Sequence, residues 1–539
     1  MSTTNIRPEL ARHLAQRLQA FSEGFRHNLA LIGPSGSGKT FQLQQLLERA
    51  PATLLRIYCP LYRESPRSQL TRLLCAILQG GLATSSTRAG SEEPTHGPAT
   101  PSLEALLQRA DRELPRTASA MRAVELLMVK RLYAEAFTRT LDTIPLLTEE
   151  CGRSCVFILD EFLYLEETGF AHAFHELGKR VMTWPSTLFV LTSSAPYRSR
   201  EILRERLQLL FGQFELLVLD APNPATTMAW IQQELRGIRR AKTMVPFLLQ
   251  WLGAYPWYLA VFLRRLRELV MLHRSPEVTE ELFLQTAWDV LGHTSGALHQ
   301  WCVSRITGLT HQRIGTRALE GLIQIAEGAR TTTDIGKRIG RARLSAALQL
   351  LVEQDLAQRS GMCWVITDPI LRCWLSTVML TQQRDARIDA TDARARFERY
   401  VRLLWIAWSD ANRRSFPEQV IGLFGKFTEE MISLDSKTGR LPRFETIRAH
   451  PQEPDGPETY LIAEGQGSRW CAAVHDGPPT EQAISSFDAF CKTQTPKPSR
   501  KIVIAKAALD ENARLLAKAS NMWVWSADDL RLLTSLYGH

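Results

Sequence analysis

Short, almost wholly apolar runs set the rhythm of the amino-terminal part of the chain. Leu29-Ala30-Leu31-Ile32, Thr53-Leu54-Leu55-Arg56-Ile57-Tyr58, Cys155-Val156-Phe157-Ile158-Leu159 and Thr187-Leu188-Phe189-Val190-Leu191 end in polar or turn residues and are too short for buried helices. Runs of this kind predict strands buried on both faces, since a half-exposed strand alternates apolar and polar positions. Between them the spacing predicts helices over 7–21, 41–49, 69–78, 103–112 and 119–140. Strands alternating with helices predict a parallel sheet covered on both faces, so the expected class is α/β.

The pattern then changes. From 224 to about 308 it is helical throughout, with apolar positions at helical spacing in 229–235 and 245–252. An apolar-periodic helix over 318–326, the capping run Thr331-Thr332-Thr333-Asp334 and the turn residue Gly340 follow. A helix over 341–354 and a hairpin over 357–366 with Gly361 at its tip complete a winged-helix pattern. The expected domains are a nucleotide-binding core at 1–222, a helical lid at 223–308, a winged helix at 309–380, a helical connector at 381–414 and an α/β domain at 415–539. Residues 81–102 are rich in Ser, Thr, Gly and Pro and read as a flexible insertion in the core.

Chemistry enters at Gly33-Pro34-Ser35-Gly36-Ser37-Gly38-Lys39-Thr40, a complete phosphate loop between a strand and a helix. Its glycines let backbone N–H groups curl round an anionic phosphate while the helix adds its positive dipole end. Lys39 would reach the β- and γ-phosphates, and the Thr40 hydroxyl would ligate Mg²⁺. Hydrolysis needs more, and the strand at 155–159 runs directly into Asp160-Glu161. There Asp160 would complete the Mg²⁺ shell and Glu161 would orient or deprotonate the attacking water. The strand at 187–191 ends in Thr192-Ser193-Ser194, which makes Ser193 and Ser194 candidate sensors of the γ-phosphate or the water. Arg204 and Arg206 are candidate arginine fingers, with a solvated helical face as the bland reading. Gly253-Ala254-Tyr255-Pro256-Trp257-Tyr258-Leu259 suits a lid segment, its Pro256 starting a helix over the nucleotide. No N-K-x-D guanine-reading motif is present, so ATP is expected over GTP.

The order of these motifs, together with Leu210-Phe211-Gly212 and Thr367-Asp368-Pro369-Ile370-Leu371-Arg372-Cys373-Trp374, resembles the archaeal-type ATPase family. That family is a branch of the STAND and replication-initiator-like additional-strand (AAA+) ATPases. The resemblance implies a P-loop NTPase sheet with a helical lid, a winged helix and a nuclease-like carboxyl-terminal α/β domain. It also implies an arginine after Leu-Phe-Gly, where this chain has Gln213.

Lys337, Arg338, Arg341 and Arg343 cluster round the helix-helix turn and are candidate contacts to double-stranded DNA. In the last domain 425–432 resembles the first helix of a restriction-endonuclease-like fold, and strands are expected at 459–463, 470–474 and 501–505. An active nuclease needs an acid before one strand and Glu-x-Lys on the next. Here Ala473 and His475 take the last two places, with Glu458 or Asp455 for the first, so the domain reads as disarmed.

Composition adjusts this picture slightly. Of 539 residues, 45% are hydrophobic and 22% charged, ordinary for a globular protein. The net charge of +9 leans toward an acidic partner. Nine cysteines, mostly inside apolar segments, suggest reduced thiols in a cytoplasmic protein, and no apolar run approaches the ~18 residues of a membrane span. The leading expectation is an ATP- and Mg²⁺-dependent hydrolytic switch acting on DNA, a protein partner or its own assembly. A non-hydrolysing ATP-bound scaffold and an ATP-regulated nuclease stand as alternatives.

Overall fold

The computed structural model describes residues 5–83, 101–205, 214–239, 241–380, 390–434, 437–451, 458–465 and 467–537. The chain divides into two compact units, Met1–Arg264 and Arg265–His539.

The first unit is built on five parallel strands: β1 (Asn28–Ile32), β2 (Leu55–Pro60), β3 (Cys155–Asp160), β4 (Thr187–Ser193) and β5 (Phe214–Val218). Their spatial order is β2-β3-β4-β1-β5. Thus β4 lies between the phosphate-loop strand and the Asp160 strand. The apolar runs explain which strands are central. Every residue of β1, β3 and β4 is buried, whereas the edge strands β2 and β5 alternate or stay partly exposed.

Successive side chains of a strand point to opposite faces, and both faces are packed. Phe157, Leu159, Phe189 and Leu191 join a core with the helices Pro66–Leu82, Leu103–Glu113, Pro115–Val129, Tyr133–Cys151 and Ala173–Thr183. Val156, Ile158, Leu188 and Val190 face the helices Pro8–Ser22 and Lys39–Arg49. One expected helix over 119–140 is two, because Arg131 adopts a left-handed φ of 59° between Val129 and Tyr133. The lid segment begins with the helices Pro224–Glu234, Ala241–Leu252 and Pro256–Leu272.

The second unit opens with further helices and reaches the expected helix-helix-hairpin order. Gly315–Ala326, Thr332–Ile339 and Leu344–Glu353 precede a hairpin of β6 (Gln358–Ser360) and β7 (Cys363–Val365). Thr331 and Asp334 form a reciprocal capping box at the second of these helices. The third helix starts at Leu344, because Arg343 holds φ +54° at its amino-terminal cap. Arg341 and Arg343 therefore occupy the turn before the helix, which begins three residues later than the expected 341.

The carboxyl-terminal sheet is mixed. It contains β10 (Thr446–Pro451), β11 (Glu458–Gly465), β12 (Ser468–His475), β13 (Arg500–Ala505) and β14 (Trp523–Trp525) in that spatial order. The first three pair antiparallel and the last three parallel. The helix expected at 425–432 lies earlier, at Phe416–Phe424, with a capping box between Ser415 and Glu418. Met431–Leu434 instead forms β8, paired with β9 (Lys437–Arg440). In the folded chain Met431-Ile432-Ser433-Leu434 alternates between partly buried and buried positions, as a strand with one covered face does.

This β8–β9 hairpin seizes the β6–β7 hairpin. Ser360 Oγ donates to Ser433 O at 2.6 Å, and Met362 N donates to Met431 O at 2.9 Å. Cys363 and Val365 belong to the same apolar core as Phe424, Trp470, Trp525 and Tyr537. Arg330 stacks over the Tyr537 ring at 4.3 Å and pairs with Glu430 at 3.2 Å. At the hairpin tip, Gly361 has φ +63° and a Cβ there would lie 2.6 Å from Met431 O. Gly361→Ala should therefore destabilise the second unit by about 1–3 kcal/mol, combining backbone strain with a clash against fixed backbone. Chemical denaturation followed by tryptophan fluorescence measures this; an unchanged midpoint would show that the hairpin contact contributes nothing.

Candidate functional site

The phosphate loop is shaped by its glycines. Gly36 and Gly38 hold φ +81° and +93°, conformations that side-chain-bearing residues rarely adopt. Gly38 is also the amino-terminal cap of the helix Lys39–Arg49, and no side chain caps that helix. The first-turn N–H groups of such a helix attract an anion. Ser37 is fully buried, and its hydroxyl has no hydrogen-bond partner. The start of the helix Pro256–Leu272 lies against the loop: Trp257 N donates to Gly36 O at 3.3 Å, and Pro256 Cγ lies 3.7 Å from a Cβ built on Gly38.

Lys39 is 5% exposed. Its ammonium donates to Gly33 O at 2.8 Å, Pro34 O at 3.2 Å and Ser194 Oγ at 2.8 Å. Burial lowers its pKa, opposed by the charges of Glu161 and Asp160. Asp160, at the end of β3, receives one donor on each oxygen. Tyr58 Oη donates to Oδ2 at 2.7 Å and the Thr192 hydroxyl donates to Oδ1. These donors come from β2 and β4, the strands on either side of β3.

Glu161 has φ +57°, an unusual backbone for a glutamate. Its N–H donates to Thr192 Oγ1 at 3.3 Å. Among the described residues its carboxylate is held by Ser194: Ser194 N donates to Oε2 at 2.9 Å and Ser194 Oγ donates to Oε1. Ser194 therefore bridges the Lys39 ammonium and the Glu161 carboxylate. Of the two candidate sensors only Ser194 joins the site. The Ser193 hydroxyl instead accepts from Ala195 N at 3.1 Å, and its carbonyl accepts from Gly33 N at 3.2 Å. Tyr58 and Thr192 went unnoticed in the sequence; only the strand order places them beside Asp160.

The donor set suits both expected ligands. Thr40 is exposed at the first turn of the loop helix, and with Asp160 it offers the hard oxygen donors that Mg²⁺ prefers. The uncapped helix and the orphaned Ser37 hydroxyl suit a phosphate. Arg204 is exposed on the helix Pro196–Glu205, whose Arg198 is already bidentate to Glu166 at 2.9 Å. Arg206, the segment Leu210-Phe211-Gly212-Gln213, Asp455 and most of the 81–102 insertion lie outside the described residues.

In the second unit Lys337, Arg338, Arg341 and Arg343 are all exposed. The turn that carries the last two is held by Arg317, whose Nη2 donates to Gly340 O at 2.8 Å. At the far end of the chain β11 and β12 bring Glu458 opposite His475. Their Oε1 and Nε2 atoms are 3.7 Å apart, buried and without hydrogen-bond partners. Burial pushes the imidazole down to about 4 and raises the carboxyl. At neutral pH the histidine is uncharged, so this contact is not an ion pair. Among the described residues no three His, Cys, Asp or Glu side chains assemble as a metal site.

Residues 25–187 match the family model described as an AAA domain. No curated protein matches the chain in sequence. Among solved structures, the Walker-type ATPase of Pyrococcus abyssi aligns at 16% identity and TM-score 0.47, over 67% of this chain and 94% of that one. The ORC2 protein of Aeropyrum pernix, in ADPNP–ADP complexes, aligns at 14% identity and TM-score 0.43, over 71% and 96%. The ORC1 protein of Aeropyrum pernix in complex with DNA aligns at 15% and TM-score 0.37, over 70% and 94%. Among the described residues no helix is long and apolar enough to cross a membrane.

The buried imidazole predicts an acid sensitivity with a definite sign. Between the ordinary histidine value of 6.5 and the folded value of about 4, the unfolded chain takes up a proton that the folded one refuses. Stability should fall as pH drops through that window, by about 3 kcal/mol. Glu458, whose carboxyl is raised, acts in the opposite direction. Melting curves of His475→Gln should therefore decline less steeply than wild type from pH 6.5 to 4; parallel declines would refute the assignment.

Proposed function

We propose that the amino-terminal unit binds ATP with Mg²⁺ and hydrolyses it, and that nucleotide state governs how the second unit engages duplex DNA or a partner. The observation that carries this reading is the hydrogen-bonded chain Lys39–Ser194–Glu161, with Asp160 beside it at the carboxyl edge of the sheet. In that arrangement one phosphate loop, one metal-organising carboxylate and one base meet at the ends of three adjacent strands. Lys39 would exchange its carbonyl and hydroxyl acceptors for phosphate oxygens. Glu161 would position and accept a proton from the attacking water. Mg²⁺, held by Thr40 and through Asp160, would supply charge neutralisation on the transferring group. Pro256 and Trp257, against Gly36 and Gly38, support a lid that senses the occupant of the loop.

Lys39→Ala should abolish nucleotide binding. Glu161→Gln should keep binding but reduce turnover about 100-fold or more, read by fluorescent-nucleotide titration beside phosphate release. Unchanged hydrolysis in the glutamine variant would remove Glu161 from the mechanism.

One observation favours a second reading, an ATP-bound scaffold that rarely turns over. Both Glu161 oxygens are engaged by Ser194. Tight ATP binding without multiple turnover, with or without DNA, would select it. A nuclease is disfavoured, since Glu458 is the one carboxylate paired with His475 and Ala473 supplies no second.

The winged-helix reading of residues 309–380 rests on the helix-helix-hairpin order and on the exposed cations at its turn. None of Lys337, Arg341 and Arg343 is paired with a carboxylate among the described residues. Arg341→Ala with Arg343→Ala should weaken duplex binding about 10-fold at low salt and flatten its salt dependence by about two counterions. Fluorescence anisotropy across a salt series tests this; identical affinity and slope would turn the proposal toward a protein partner.

A further inference from the structure

We infer that Tyr58 is a positioning residue for the metal-organising carboxylate Asp160, fixing its orientation from β2 while Thr192 fixes it from β4. The inference rests on the proposed reading of Asp160 as the carboxylate that organises Mg²⁺.

The geometry is specific. Asp160 ends β3 and is 7% exposed, so little water reaches it. A carboxylate in such a place turns about its last bond unless donors hold both oxygens. Here each oxygen receives exactly one side-chain donor: Tyr58 Oη on Oδ2 at 2.7 Å, and Thr192 Oγ1 on Oδ1. The two donors arrive from the strands that flank β3, which fixes the plane of the group from opposite sides. Each oxygen accepts one bond and keeps a lone pair, so the clamp orients the carboxylate without using it up.

The register explains the reach. Tyr58 pairs with Ile158, two residues before Asp160, so its long ring must extend along the strand direction to place its hydroxyl at the strand end. A shorter hydroxyl at this position would not arrive. Thr192 has a second duty, accepting the Glu161 N–H, whereas among the described residues the Tyr58 hydroxyl is hydrogen-bonded to no other candidate catalytic group. Removing the tyrosine hydroxyl is thus the cleaner probe of the carboxylate's orientation.

The test uses the whole chain and compares wild type, Tyr58→Phe and Asp160→Asn. A fluorescent ATP analogue is titrated in EDTA and across a Mg²⁺ series, and phosphate release is measured over the same series. Wild type and Tyr58→Phe should bind equally in EDTA and melt within a degree or two of each other. The Mg²⁺ concentration for half-maximal enhancement should rise about 10-fold in Tyr58→Phe, the scale of losing an outer partner of a metal ligand. Asp160→Asn should lose the enhancement. Equal Mg²⁺ curves for wild type and Tyr58→Phe would overturn the positioning role while leaving Asp160 in place. A wild type indifferent to Mg²⁺ would instead overturn the reading of Asp160, and the inference with it.

Discussion

A buried ammonium group disciplines the first unit. Lys39 lies almost wholly out of water, where an uncompensated charge would be very costly. It is tolerable because three oxygens accept from it, two on the loop backbone and one on Ser194. That requirement ties three pieces of chain together. The loop must curl back so that Gly33 and Pro34 present carbonyls to a residue several places later. β4 must sit beside β1 so that its end reaches the loop. Glu161 must lie on the far side of Ser194, so that two opposite charges share one hydroxyl. The strand order β2-β3-β4-β1-β5 is the arrangement that satisfies all three at once. The left-handed backbone at Glu161 is a strain of roughly 1–3 kcal/mol that the bonds from Thr192 and Ser194 offset.

The legibility of this site in the sequence was uneven, for physical reasons. The phosphate loop could be read because its requirements are local: positive φ at two glycines, a lysine at a fixed distance, a helix to follow. Asp160 and Glu161 could be read because a strand buried on both faces must end in its first polar residues. Lys39, Asp160 and Glu161 accordingly stand where the pattern placed them. Tyr58 and Thr192 carry no such local mark. Their relevance depends on which strands are neighbours, and a tyrosine closing an apolar run looks like any edge-strand residue. Ser193 and Ser194 look alike in the sequence; Ser193 ends β4 and its hydroxyl accepts from Ala195 N, while Ser194, the first residue past the strand, turns its hydroxyl to Glu161.

Elsewhere boundaries moved where backbone geometry overrode periodicity. Arg131 and Arg343, both at positive φ, each interrupt a helix that composition would have let run on. In the last domain the strands at 459–463, 470–474 and 501–505 were legible from their apolar runs. The segment 425–432 carries no such mark: Met431-Ile432-Ser433-Leu434 does not alternate in residue type, and its alternation is one of burial in the folded chain. The capping box at Ser415 and Glu418, visible in the sequence, marks the true helix start.

The joined hairpins of the second unit carry a practical meaning for anyone cutting this chain into pieces. Residues 309–380 and 415–539 look like separable modules when read along the sequence. In space Cys363 and Val365 are part of the core that Phe424, Trp470 and Tyr537 close. A fragment ending before Phe416 would leave those apolar side chains and the backbone edge at Met362 facing water, an adhesive strip on an otherwise soluble piece. The smallest fragment that keeps its own interior dry therefore runs on through Tyr537, and a loss of function on removing the tail would report a damaged neighbour as much as a missing domain.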